Sequence, residues 1–214
     1  MRRSLRSAIF AFAATVLLSG HPAGAEGRRV ALVVGNANYA NAPSLATSIN
    51  DAEDIADTLT RLGFEIVLRR DATTADLHSA IKEFARKSDA ADIAIVYYAG
   101  YSLNVGIGGY LVPIDARLSN PSDLRTETVP LPEVMFSAGK ARSLGLVILD
   151  ALHGNPFPVE AGTAAIDPGA AAASSRSGGA RNVLLLFATE PRKTSERGHG
   201  RNSPLAAALL ENLP

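Results

Sequence analysis

The 214-residue chain contains no cysteine. It can therefore form no disulfide, no Cys-ligated zinc site, no iron–sulfur cluster and no thiol nucleophile. It has no excess of either charge: 21 Lys and Arg balance 21 Asp and Glu. No strongly basic field is available to hold nucleic acid non-specifically. No apolar run reaches the ~20 residues that a membrane-spanning helix needs. No pair of its histidines has metal-ligand spacing, so the sequence implies neither a metal site nor a cofactor. What remains is an apolar content of 47% and a charged content of 20%, ample for one hydrophobic core.

The N-terminus reads as an address rather than as fold. Arg2, Arg3 and Arg6 form a positive start, Ala8 to Leu18 an apolar run, and Ala23-Gly24-Ala25 a small-x-small cleavage site. This layout predicts a signal peptide over 1–25, with an uncleaved N-terminal anchor as the alternative. The domain over 26–214 is then secreted or periplasmic, with no membrane attachment after cleavage.

Strand and helix signals alternate through the rest. Arg29 to Val34 is a β-branched apolar run stopped by Gly35-Asn36. Asn50 with Glu53 has the spacing of a capping box, followed by Ile55, Leu59 and Leu62 on one helix face and Gly63 at the stop. Phe64 to Leu68 predicts the second strand. Thr73 with Asp76 opens a helix whose inner face carries Leu77, Ile81 and Phe84. Asp92 to Tyr98, Leu144 to Leu149 and Val183 to Ala188 predict further strands. Tyr110 to Pro113 predicts a hairpin arm, and Pro130 to Gly139 a helix. Pro204 stands at the first position of a closing helix. The glycines around 106–109 precede a strand rather than a helix, so they predict a hairpin turn and not a phosphate loop.

The central strands are nearly continuous apolar runs, as in strands covered on both faces. The fold class expected is α/β: a three-layer α/β/α sandwich around a mostly parallel sheet. Working residues then lie beyond the carboxyl ends of strands, in 35–43, 99–109 and 150–157. The Ala-, Gly- and Ser-rich stretch of 158–181 predicts a flexible loop. The abrupt stop at Pro214 leaves open a further segment that completes the core.

Six motifs occur in order: Val30 to Asn36, Asn50-Asp51-Ala52, Tyr97-Tyr98-Ala99-Gly100, Tyr110 to Ala116, Val147-Ile148-Leu149-Asp150-Ala151 and Gly200-Arg201-Asn202-Ser203-Pro204. Together they resemble the caspase-like domain of bacterial metacaspase-type peptidases. The resemblance implies a cysteine–histidine endopeptidase fold. The family His follows Tyr-Tyr-Ala-Gly, and the family Cys follows Asp-Ala, with the His roughly 50 residues upstream. The matching positions here are Tyr101 and Leu152, so the frame is kept and both reactive residues are replaced.

Leu152 offers only hydrocarbon where a thiolate attacks, and Tyr101 offers a phenol of reference pKa about 10 where an imidazole moves protons. The expectation is a catalytically inactive pseudo-peptidase. By the same resemblance, Asp51 and Asp150 bind a basic side chain of a peptide, although the neighbouring position that often carries another acid is Gly154. Each also has a plainer reading, as a charge at a helix start or a carboxylate bonded to loop amides. The partners expected are a peptide or protein bearing basic residues, or a caspase-like relative paired through the sheet edge. Two alternatives stay open. One is a hydrolase with chemistry displaced to Ser102 or His153, the other a decayed homologue without function. His78 is expected on a solvated helix face and His199 in a turn.

Overall fold

The structure, a computed structural model, describes residues 27–105, 108–152, 156–157, 182–188 and 200–213. The expected signal peptide of 1–25, the loop of 158–181, His153, Gly154 and His199 lie outside the described residues.

The strands are β1 (Arg29–Gly35), β2 (Phe64–Arg70), β3 (Ile93–Val105), β4 (Gly108–Leu111), β5 (Val129–Pro130), β6 (Leu144–Leu152) and β7 (Val183–Phe187). The helices are α1 (Ser48–Arg61), α2 (Thr74–Ser88), the single turn α3 (Leu124–Glu127), α4 (Leu131–Ala138) and α5 (Pro204–Asn212). β2, β1, β3, β6 and β7 lie side by side and all parallel. The far half of β3 carries β4 and β5 as an antiparallel extension.

The pleat explains the two-sided core. Val30, Leu32, Val34, Val96, Tyr98, Val147 and Leu149 point to one face, where Leu77, Ile81 and Phe84 of α2 and Leu131, Val134 and Met135 of α4 cover them. Ala31, Val33, Tyr97, Ala99 and Ile148 point to the other, under Ala52, Ile55 and Leu59 of α1 and Leu205, Leu209 and Leu210 of α5. Each fully buried large side chain contributes about 1.5–3 kcal/mol. The three-layer sandwich expected from the apolar runs is the observed architecture. β7 pairs only with β6 among the described residues, and leaves Leu184 61% and Leu186 41% exposed.

Local signals were mostly followed. Thr73 and Asp76 form the reciprocal capping box of α2. Gly63 takes φ +79° just after α1, a conformation a side chain disfavours. Two expectations need correction. α1 starts at Ser48 with Thr47 as its cap, so Asn50 lies inside the first turn and its amide instead donates to Arg201 O at 3.2 Å. β3 does not stop at Tyr98 but runs on to Val105, because Ser102–Val105 find partners in β4. A single-strand apolar pattern cannot reveal that pairing, since the extension is held by backbone bonds to the next arm, β4, rather than by its own burial. Val105 stands opposite Gly108 in the antiparallel register of β3 and β4, and 106–107, within the expected glycine turn, lie outside the described residues.

Candidate functional site

The carboxyl ends of β1, β3 and β6 form one rim. Backbone register places Ala99 beside Asp150 and Tyr101 beside Leu152. The two positions that the sequence frame pairs are thus neighbours across adjacent parallel strands.

Tyr101 is built into the core. It is 5% exposed and belongs to an apolar cluster with Tyr39, Leu45, Leu103, Val112 and Phe157. Its ring meets Tyr39 edge-on at 4.8 Å and Phe157 at 6.1 Å between centroids. Its hydroxyl donates to Pro43 O at 3.2 Å, and its backbone N–H donates to the Tyr39 hydroxyl at 2.9 Å. The Tyr98 hydroxyl lies within reach of both Tyr101 O (2.9 Å) and Val112 O (2.8 Å). Burial pushes the Tyr39 phenol up to about 12 and the Tyr98 phenol up as well. Gly100 makes this possible: a Cβ there would sit 2.7 Å from both the Tyr39 and Tyr98 hydroxyls. The loop after β1 is fixed in turn by Asp71, whose carboxylate accepts the N–H groups of Ala37 and Asn38. Asn36 links the same layers, donating to Val112 O and accepting the Ala72 N–H.

The acids form a second, different cluster. Gly35 lets α1 approach β1 closely, since a Cβ there would lie 2.4 Å from Ser48 O. That approach brings Asp51, 1% exposed, over the sheet end on the same side as Asp150, 9% exposed. Both acids meet at Ser203. The Ser203 N–H donates to Asp51 Oδ1 at 2.8 Å, and the Ser203 hydroxyl donates to Asp150 Oδ2. The buried Tyr97 hydroxyl donates to the same Asp150 oxygen at 2.7 Å.

Burial pushes the Asp51 carboxyl up to about 6 against the pull of the Ser203 N–H, and the charge of Asp150 raises it further. Burial also raises Asp150, against the hydrogen bonds from Ser203 and Tyr97. Tyr97 is pushed up by burial and by the charges of both acids. No described cation makes an ion pair with either acid: Arg201 turns outward onto Asp54, with Nε and Nη2 each 2.9 Å from a carboxylate oxygen. That pair holds Asp54 below its ordinary value.

The structure brings Asp51 and Asp150 to a common partner, Ser203, and sets Tyr101 beside Leu152 in register. It shows Ser102 2% exposed in the β3–β4 hairpin, opposite Leu111. His78 stands on α2 with Nδ1 4.0 Å from Glu133, part of no cluster at the rim. Sequence reasoning missed Ser203, Tyr97 and Tyr39 as site partners. Ser203 before Pro204 carried a helix-cap signal, but nothing local told which carboxylates it would meet. Tyr97 and Tyr39 are core residues whose hydroxyls alone reach the site, and a hydropathy pattern does not register a hydroxyl.

Comparison with known proteins agrees with this geometry. The family model described as the caspase domain matches residues 28–214. The human mucosa-associated lymphoid tissue lymphoma translocation protein 1 is 30% identical over 118 residues, covering 55% of this chain and 14% of its own length. Its mouse homologue matches to the same extent. The chain thus spans about a seventh of the curated relatives it matches. Among solved structures, protein GSU0716 from Geobacter sulfurreducens superposes with a TM-score of 0.59 at 17% identity, covering 86% of this chain and 81% of that one, which speaks to the fold alone. With a parallel sheet in this order, helices on both faces and a family match across nearly all of the described residues, the chain belongs to the caspase domain family.

Proposed function

We propose that this chain is a secreted caspase-domain pseudo-peptidase that binds a basic side chain of a peptide or protein and does not cut it. The observation that carries the reading is the contrast at one rim. Tyr101 and Leu152 stand side by side in register, and neither residue type supplies a thiolate or an imidazole. Two buried carboxylates persist on the same rim without a described cation. A buried acid pair is costly alone and is relieved by a guanidinium or ammonium group. Losing one member of a catalytic pair costs on the order of 10³–10⁶ in rate, so no useful turnover is expected here. Export rests on the sequence layout of 1–25.

The packing speaks for a working domain rather than a decayed one: both faces of the sheet remain filled by well-buried side chains. A caspase-like relative is a second partner class, favoured by the exposure of Leu184 and Leu186 on β7. Fluorogenic Arg and Lys peptides test the first reading. They should bind, with affinity lost in Asp150→Asn, and remain intact on long incubation. Turnover abolished by Ser102→Ala or His153→Ala would establish displaced chemistry instead.

A further inference from the structure

The acid pair has a structural duty besides any ligand. Ser203 is the N-cap of α5, and its hydroxyl accepts the Ala206 N–H at 3.0 Å while donating to Asp150. Its own N–H donates to Asp51. The seat of α5 is otherwise shallow: Ala206 is its one fully buried residue, with Leu205, Leu209 and Leu210 only partly covered. Asp150 is nine-tenths buried, and both of its described donors, Tyr97 and Ser203, fall on Oδ2. Oδ1 receives no donor among the described residues, so the carboxylate keeps one buried face for something else.

A cation at that face holds the carboxylates in their charged form, which burial and mutual repulsion oppose. The charged form is also what Ser203 donates to most strongly, since charge-assisted hydrogen bonds are roughly twice as strong as neutral ones. Cation and helix therefore favour the same state. We infer that a basic side chain at Asp51 and Asp150 and the seating of α5 are positively coupled through Ser203. The coupling rests on the reading above that these acids take a basic side chain. By reciprocity, whatever loosens α5 weakens the ligand by the same factor. Ser203 is a positioning residue in this scheme, acting through the two acids.

The test uses N-acetyl-arginine methylamide with the purified protein, by calorimetry and by amide hydrogen exchange. At saturation, exchange at Ala206 and Ala207 should slow by about five-fold or more, the lower end of ordinary coupling, while amides of α2 stay unchanged. Ser203→Ala should weaken binding by a similar factor and abolish the slowing. Ser203→Thr, which keeps the hydroxyl, should restore both, which a loss of packing alone would not allow. Binding with unchanged or faster exchange in α5, or equal affinity in Ser203→Ala, overturns the coupling while leaving the acid site intact. Absence of binding to the native protein overturns the acid-site reading itself, and the coupling with it.

Discussion

Two clusters share the same rim of the sheet and have been treated oppositely. Around Tyr101 the polar work is finished: the phenol is spent on Pro43 O, the ring is wedged between Tyr39 and Phe157, and the backbone N–H is held by Tyr39. Around Asp51 and Asp150 it is unfinished: two acids are buried together and pushed toward protonation, joined through a single serine. A filled cluster contributes stability and has no chemistry left to offer. An unbalanced one lowers stability, and in the proposed reading that cost is what a basic ligand relieves. On the reading proposed above, the first cluster replaces the place where a bond would be broken and the second keeps the place where a side chain would be held.

The strongest way to break this contrast is to reverse the first cluster. Tyr101→His with Leu152→Cys should raise cleavage of Arg-terminated fluorogenic peptides by at least about 10³-fold over the native chain, the scale of a lost catalytic pair. Adding Asp150→Asn should remove that gain. A folded but silent double variant would mean that the acid pocket no longer aligns a peptide with the rim.

Next in size is the stability of the filled cluster. Tyr101→Ala should cost about 3–5 kcal/mol by thermal or urea unfolding, as for other buried aromatic truncations. Tyr101→Phe should cost only about 1 kcal/mol, the net worth of the bond to Pro43 O. Equal losses in the two would place the stability in the hydroxyl rather than in the packed ring.

The unbalanced cluster should behave in the reverse sense. Asp150→Asn should leave the melting temperature at neutral pH unchanged or raised, while weakening an arginine ligand by at least about ten-fold, as expected when a charged hydrogen-bond partner is neutralised. A marked fall in melting temperature with arginine affinity unchanged would confine Asp150 to seating α5 and remove it from the ligand site.

The smallest effect is with pH. Burial pushes the Asp51 carboxyl up to about 6 in the folded chain, from an ordinary 3.8. The folded chain therefore holds its proton more tightly than the unfolded one. Its contribution to stability is full below 3.8 and is lost as pH rises through about 6. Ligand binding runs the other way, because it needs the charged acid: affinity should rise across the same interval. Asp51→Asn should flatten both profiles.

Much of the fold was legible because burial writes itself into composition. The runs at Val30 to Val34, Ile93 to Tyr98 and Leu144 to Leu149 are apolar on both alternations, which only a doubly covered sheet requires. The cap at Thr73, the helix start at Pro204 and the stop at Gly63 were local signals locally obeyed. The extension of β3 was not legible, because its partner strand, not its own residues, keeps it straight. The acids were legible as positions and not as an environment. That Asp51 and Asp150 share Ser203 depends on α5 returning across the sheet from far along the chain. The role of Asn50 was misread for the same reason: its partner, Arg201 O, comes from that returning segment.

The central claim is that the site binds without cutting. Its most direct measurement is calorimetry of an acetyl-arginyl anilide with the native protein, followed by mass analysis of the same sample after prolonged incubation. The account predicts saturable binding that Asp150→Asn removes, with the anilide recovered whole. Release of the aniline by the native chain, or heat that Asp150→Asn leaves untouched, would contradict it.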